Sequence, residues 1–154
     1  MLKSVTILLS LATLILILSS PAAACSCLGR SGKAALKESQ VAFRGTVAKV
    51  DYLDPDTDQS EPRIVVTFLV SRVWKGPVRK KIVLHTIYNK YSCEGFYFQK
   101  GREYLVFAYA NTESMAKRFL HVKNSLGTDI CYGTKLIDAA GDYLREIGKG
   151  RKPR

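Results

Sequence analysis

The chain has 154 residues and a formal net charge of +11, from 24 Lys and Arg residues against 13 Asp and Glu residues. A chain of this length can bury the core of one domain but is too short for two. The excess of positive charge favours weak, salt-sensitive attraction to anionic surfaces such as glycans, cell-wall polymers and phospholipid headgroups. We expect no nucleic-acid partner, because the chain has no nucleic-acid-binding motif and its beginning predicts export.

Residues 1–24 have the layout of a secretory signal peptide. They carry one positive charge at Lys3, then an apolar stretch around residues 5–18, and end in three alanines before Cys25. Cleavage after Ala24 would make Cys25 the N-terminus of a secreted protein of 130 residues, with Lys3 removed and a net charge of +10. The apolar stretch is short for a membrane span.

The same junction allows a second interpretation. Bacterial lipoproteins also begin with small residues followed by a cysteine, whose thiol is lipidated and whose amine is often acylated. Those signals usually have Leu three residues before the cysteine, where this chain has Ala22. We therefore favour ordinary cleavage, and keep anchoring to the cell envelope through a lipid on Cys25 as the alternative.

Strand patterns dominate the rest of the chain. After a short helix over residues 33–38, alternating and β-branched segments predict strands over residues 41–52, 64–74, 81–87, 103–110 and 118–123. Gly45, inside the first strand, indicates a bulge or a sharp bend. Apolar residues at helical spacing predict an amphipathic helix over residues 134–147. Short strands with a bend and few helices predict a small closed β-barrel with flanking helices.

All four cysteines follow the predicted signal, which in an exported chain indicates two disulfides. A bridge between Cys25 and Cys27 is disfavoured, because residues two apart on an extended chain rarely reach disulfide geometry. Two arrangements remain open: Cys25 with Cys93 and Cys27 with Cys131, or Cys25 with Cys131 and Cys27 with Cys93. Either arrangement would tie the N-terminal segment to distant parts of the chain and hold it rigid.

Other possible sites are better explained as ordinary structure. Asp54, Asp56 and Asp58 copy the beginning of a calcium loop, but the later Gly and Glu positions do not match, so we expect a solvated turn. His85 and His121 lie on separate predicted strands without metal-ligand spacing. No nucleophile or phosphate-loop motif is present, and disulfides would consume every thiol. We therefore expect that the protein is not an enzyme and has no cofactor of its own.

The mature chain resembles the N-terminal inhibitory domain of the tissue inhibitors of metalloproteinases, a netrin-like (NTR) module. The resemblance rests on Cys25-Ser26-Cys27, on Trp74-Lys75-Gly76, on the segment from Lys100-Gly101-Arg102 to Val106, and on the positions of Cys93 and Cys131. It implies an OB-fold barrel of five strands over residues 25–148 and the bridges Cys25–Cys93 and Cys27–Cys131. Independently of the resemblance, the run of basic residues at the end predicts a disordered tail over residues 149–154.

The resemblance also implies inhibition of a zinc metallopeptidase. The α-amine and carbonyl oxygen of Cys25 would chelate the catalytic zinc of the partner protease, and Ser26 would point toward its primary specificity pocket. Cys27 and Leu28 would extend this ridge, and Lys90 and Tyr91 would form its neighbouring edge. The inhibitor would be a secreted monomer that shares the zinc of its target.

A different class of function remains open, because NTR modules also occur as plain binding modules. In that case the protein would be a non-inhibitory envelope or extracellular module that recognises polyanions, such as anionic glycans or cell-surface polymers. Its basic surface would include Arg79, Lys80, Lys81 and the tail. A lipid on Cys25 would favour this function, because anchoring would then replace zinc chelation.

Overall fold

A computed structural model describes residues 27, 29–53, 63–77, 79–89, 94–110 and 125–154. The predicted strand over residues 118–123 and the predicted acidic turn at residues 54–58 lie outside these ranges. The helices are α1 (Gly32–Glu38) and α2 (Gly141–Ile147), with 3-10 turns at Ile130–Tyr132 and Ile137–Ala139. The strands are β1 (Val41–Leu53), β2 (Arg63–Lys75), β3 (Lys81–Asn89), β4 (Glu94–Gly95), β5 (Glu103–Ala110), β6 (Leu126–Gly127) and β7 (Lys135–Leu136).

The strands form one antiparallel sheet in the order β4-β3-β2-β1-β5-β6, with β7 also paired to β5. β1 is the central strand: it pairs with β2 along its length and with β5 over its first half. The register of β1 against β2 shifts between Arg44 and Gly45, which confirms the irregularity predicted at this glycine. Such an irregularity bends a strand and increases its twist, as a closing sheet requires.

The two ends of the sheet curl toward each other and form a nearly closed, five-stranded antiparallel barrel. The hydroxyl of Thr86 on β3 donates to the carbonyl oxygen of Thr128, next to β6, at 3.0 Å. The hydroxyl of Thr128 donates in turn to the carbonyl oxygen of Phe107 on β5, at 2.8 Å. These buried hydroxyls satisfy backbone groups where strand pairing is incomplete. The mainly β fold class predicted from the sequence is confirmed.

The interior of the barrel is filled by side chains that alternate along the strands. On β2, for example, Ile64, Val66, Phe68 and Val70 are buried and the residues between them are not. Phe68 contacts Phe43 and Phe98 edge to face, with ring centroids 5.2 and 5.1 Å apart. Burying side chains of this size contributes about 1.5–3 kcal/mol each.

A second core lies between the barrel and the two helices. Leu105 and Phe107 from β5 contact Ala35 of α1 and Ala140, which precedes α2. Ser31 caps the N-terminus of α1: its hydroxyl oxygen accepts a hydrogen bond from the backbone N–H of Ala34 at 3.2 Å. The helix predicted over residues 33–38 is therefore confirmed, and the second core fixes it against the barrel.

The helix predicted over residues 134–147 is wrong in its first half. Lys135 and Leu136 form β7, a 3-10 turn follows, and α2 begins only at Gly141. The hydroxyl of Thr134 accepts from the backbone N–H of Phe107 at 3.0 Å, which holds this segment beside β5. Strand pairing in the tertiary structure therefore prevails over the helical spacing of the apolar residues.

The basic segment that follows α2 also differs from the prediction of a disordered tail over residues 149–154. Arg151 and Val73 of β2 exchange two backbone hydrogen bonds, at 2.8 and 2.9 Å. The indole N–H of Trp74 donates to the carbonyl oxygen of Gly148 at 2.8 Å. The expectation was wrong at Arg151, because β2 extends beyond its pairing with β3, which ends at Leu69, and Val73 provides backbone partners there.

Candidate functional site

The structure describes one of the six residues predicted to contact a protease. Cys27 is exposed, and Cys25, Ser26, Leu28, Lys90 and Tyr91 lie outside the described residues, as does Cys93. Cys27 forms a disulfide with Cys131, with Cα atoms 5.2 Å apart and a separation of 104 residues along the chain. This is one of the two bridges that the family resemblance implies. The pairing of Cys25 with Cys93 stays a prediction.

The Cys131 side of this bridge lies in a short, well-anchored turn. Cys131 belongs to the 3-10 turn Ile130–Tyr132, and its backbone N–H donates to a carboxylate oxygen of Asp129 at 2.7 Å. The turn ends at Gly133, whose φ of 89° lies in the left-handed region that favours glycine. A Cβ at Gly133 would lie 3.1 Å from the Cβ of Ala35, so the turn packs closely on α1. The disulfide therefore holds Cys27 against a fixed part of the barrel.

The segment that leaves Cys27 is held by both helices. The carbonyl oxygen of Arg30 accepts a hydrogen bond from the hydroxyl of Tyr143 on α2. The guanidinium of Arg30 forms an ion pair with Glu38 of α1. The backbone N–H of Lys33 donates to the carboxylate of Glu146 on α2 at 3.1 Å. These contacts come from both helices, so the fold fixes the backbone at Arg30 and Lys33.

Three tyrosine rings lie close to Arg30 and the turn at Cys131. Tyr109, at the end of β5, contacts Tyr132 with ring centroids 4.0 Å apart. Burial raises the pKa of both phenols, and the nearby positive charge of Arg30 opposes this shift. Both tyrosines are therefore neutral at physiological pH. On the other side, the Lys135 ammonium lies 3.5 Å from the ring centroid of Tyr143, a cation–π geometry.

Sequence reasoning predicted the disulfide partner of Cys27 through the resemblance, but it missed the residues that hold the segment next to it. Arg30, Tyr109, Tyr132 and Tyr143 are far apart in the sequence and carry no common motif. The sequence carried only an indirect signal for these contacts. Tyrosines in strands and helices need a hydrogen-bond partner for their hydroxyl when they are buried.

The described residues form neither a metal-binding cluster nor a membrane-spanning helix. Within residues 27, 29–53, 63–77, 79–89, 94–110 and 125–154, no group of three or more His, Cys, Asp or Glu side chains is arranged to hold a metal ion. Across the same part of the chain, no helix has both the length and the apolar character of a membrane span.

Comparison with known proteins adds no further identification of the site. No protein-family model matches the chain, and no curated protein matches it either.

Proposed function

We propose that the mature protein inhibits zinc metallopeptidases by placing Cys25 on the catalytic zinc of its target. The observation that carries the proposal is the state of Cys27, two residues further along: it is exposed at the surface and its sulfur is bonded to Cys131. A residue that is both exposed and covalently fixed is suited to lie at a contact with another protein.

The chemistry follows from what a peptidase zinc requires. A catalytic zinc has three protein ligands and keeps one position for the water that attacks the substrate. The α-amine and carbonyl oxygen of one residue can close a five-membered chelate on such an ion and displace that water. The amine must be unprotonated to bind, and α-amines have a pKa near 7.7–8.0. Inhibition should therefore weaken as the pH falls below this range.

The contacts around Cys27 support the affinity that this mode of binding needs. Binding costs free energy when a flexible segment must be ordered, and a segment ordered beforehand avoids most of that cost. Cys131 holds the sulfur of Cys27, and Tyr143 holds the backbone at Arg30, three residues further on. Tyr143 packs against the second core, and Gly133, at the end of the Cys131 turn, packs closely on Ala35 of that core.

The first measurement is the intact mass and N-terminal sequence of the exported protein. A free Cys25 is the expected result, and a lipid or an acyl group on Cys25 would exclude zinc chelation. The direct test then compares this protein with a variant that carries one additional Ala before Cys25, against a panel of zinc peptidases. The extension should abolish inhibition, because it moves the α-amine away from the chelating position.

A matched control blocks the same amine without adding a residue. Acetylation of the α-amine of Cys25 should also abolish inhibition, while circular dichroism and the Cys27–Cys131 bridge stay unchanged. Equal inhibition by the native, extended and acetylated forms would show that the amine is not involved. Absence of inhibition by the native form across a broad panel would remove the proposal.

The second candidate is a non-inhibitory module that recognises polyanions. It is supported by the exposed side chains of Arg79, Lys80 and Lys81, which are consecutive in the sequence. Retention on an immobilised polyanion at low ionic strength, with release by moderate salt, is the expected behaviour. Passage through the column without retention at low salt would exclude this candidate. The two candidates are separated by the extension at Cys25, which should leave retention unchanged.

A further inference from the structure

A groove of about 290 Å³ lies between β2 and the segment that follows α2. It is lined by Arg44, Arg72, Trp74, Leu144, Lys149 and Gly150. The proposed zinc inhibition does not use these residues. Leu144 follows Tyr143 on α2. Tyr143 binds the backbone at Arg30, and Leu144 lines this groove.

The walls of the groove are held in place by the fold. Gly150 lies so close to the indole of Trp74 that a Cβ at this position would be 3.0 Å from two ring atoms. The indole N–H is bonded to the carbonyl oxygen of Gly148, and Arg151 is paired with Val73 through both backbone groups. The segment that carries Lys149 therefore lies beside the end of β2 in a fixed position. A ligand would meet a preformed site and would not have to order it.

The charge of the groove is unbalanced. Arg44 and Arg72 are cross-strand partners on β1 and β2, an arrangement that is unfavourable for like charges. Glu103 relieves one of them: its carboxylate accepts from Nε and Nη2 of Arg44 at 2.8 and 2.6 Å. Within the part of the chain that the structure describes, no carboxylate forms an ion pair with Arg72 or with Lys149. An excess of positive charge thus remains at the groove.

We infer that this groove, the Trp74 groove, binds the sulfate or carboxylate group of an acidic sugar residue. The guanidinium of Arg72 offers a planar fork of donors that matches such an anion, and Lys149 adds a second positive charge. Trp74 and Leu144 add apolar surface, which suits the C–H face of a sugar ring. The volume is at the lower end for ligand sites and is sufficient for about one ring with its anionic group.

This inference does not depend on the proposed zinc inhibition, and it assigns the second candidate to a defined site. The inference about the Trp74 groove and the second candidate function can fail separately. Retention on a polyanion through Arg79, Lys80 and Lys81 would leave the second candidate in place even if the Trp74 groove bound nothing. The experiment must therefore report on the groove itself, and Trp74 provides this signal because it is the one tryptophan of the chain.

The experiment titrates the purified protein with a sulfated disaccharide at constant ionic strength and follows both the heat of binding and the fluorescence of Trp74. The unsulfated parent disaccharide and inorganic sulfate are titrated in parallel. We expect saturable binding of the sulfated disaccharide with a change in Trp74 emission, and at least tenfold weaker binding of each comparison ligand. Equal binding of inorganic sulfate would overturn the assignment to a sugar. Equal binding of the neutral disaccharide would overturn the role of the anionic group.

Two pairs of charge-matched variants separate the groove from the general basic surface. Arg72→Gln and Lys149→Gln should each weaken binding about tenfold. Arg102→Gln and Lys100→Gln remove the same charges at exposed positions outside the groove lining and should change binding less than twofold. Lys149 is exposed, so its variant gives an answer even if Arg72→Gln folds poorly. Equal losses in all four variants, binding without a fluorescence change, or no binding would each overturn the inference.

Discussion

Tyr143 donates its hydroxyl hydrogen to the carbonyl oxygen of Arg30, and this bond joins α2 to the segment that leaves the Cys27–Cys131 bridge. The ring of Tyr143 has contacts of its own, with Phe107 at 6.1 Å between centroids and with the Lys135 ammonium. The hydroxyl can therefore be removed while most of the packing of the ring is kept.

The variant Tyr143→Phe should lower the free energy of unfolding by about 1 kcal/mol, the typical contribution of one hydrogen bond. At a temperature where the variant and the native protein are both folded, the variant should also weaken protease inhibition several-fold. The loss of stability alone would not explain this effect. Urea denaturation and inhibition constants measure the two effects. Tyr52→Phe, at a residue that is 60% exposed, is the control and should change neither. Equal inhibition by both variants would contradict a role for Tyr143 in holding the segment.

Replacement of Cys27 and Cys131 together by Ala should lower the free energy of unfolding by about 3–5 kcal/mol. The bridge closes a loop with a separation of 104 residues, and long loops lose the most unfolded-state entropy when they are closed. Guanidinium denaturation without reductant measures the difference. The far-ultraviolet circular dichroism should stay that of a β protein, because the barrel core lies elsewhere. A loss below 1 kcal/mol would show that the bridge does not constrain the unfolded chain.

Gly32 lies at a close approach of α1 to α2. A Cβ at Gly32 would lie 2.9 Å from the Cα and 3.0 Å from the carbonyl oxygen of Tyr143, and backbone atoms cannot move aside as a flexible side chain does. Gly32→Ala should therefore destabilise the protein by about 1–3 kcal/mol. At Gly141 the nearest atom to an added Cβ is 3.9 Å away, so Gly141→Ala should be neutral or slightly stabilising. Thermal unfolding compares the two, and equal melting temperatures would contradict this account of the helix packing.

Glu103 should make the stability depend on pH in the acid range. Its hydrogen bonds with Arg44 lower its pKa in the folded protein below the ordinary value of 4.5. The unfolded chain then binds the proton more readily than the folded one, so the contribution of Glu103 is complete above about pH 4.5 and is lost as the pH falls through the lowered pKa.

The variant Glu103→Gln should be about 1 kcal/mol less stable than the native protein at pH 7, since the pair is partly exposed, and this difference should shrink in acid. Denaturation between pH 7 and pH 3 measures it. Asp138→Asn removes the more exposed and longer contact with Arg102, 3.8 Å, and serves as the control with little effect at any pH. A difference that stayed constant across this range would contradict the linkage.

Much of the barrel could be predicted from the sequence, because its strands bury one face and expose the other. The predicted strand over residues 103–110 has the bounds of β5, and the first three predicted strands match β1, β2 and β3 to within two residues. The period of two along these segments reports directly on burial. Gly45 was informative for a related reason, since glycine within a strand marks a change of register.

The parts that sequence reasoning missed depend on contacts between distant segments. Leu136, Ile137 and Ala140 have helical spacing, but β5 takes Lys135 and Leu136 as strand partners. The basic tail looked like a solvated segment, yet Gly148 and Arg151 find partners on β2. Nothing local in either segment reveals the open strand edge that receives it.

The Cys27–Cys131 bridge also determines how the molecule would respond to a mechanical load on its N-terminal segment. A pull on Cys27 is transmitted through the two sulfur atoms to the turn at Cys131, and from there to β5 and α1 through the close packing of Gly133. β1, β2 and β3 all lie within the covalent loop that this bridge closes, so they are shielded from a force applied between Cys27 and the end of the chain. In a single-molecule extension experiment, the oxidised protein should therefore lengthen mainly through α2 and the residues after Cys131. Reduction should release the full length of the barrel.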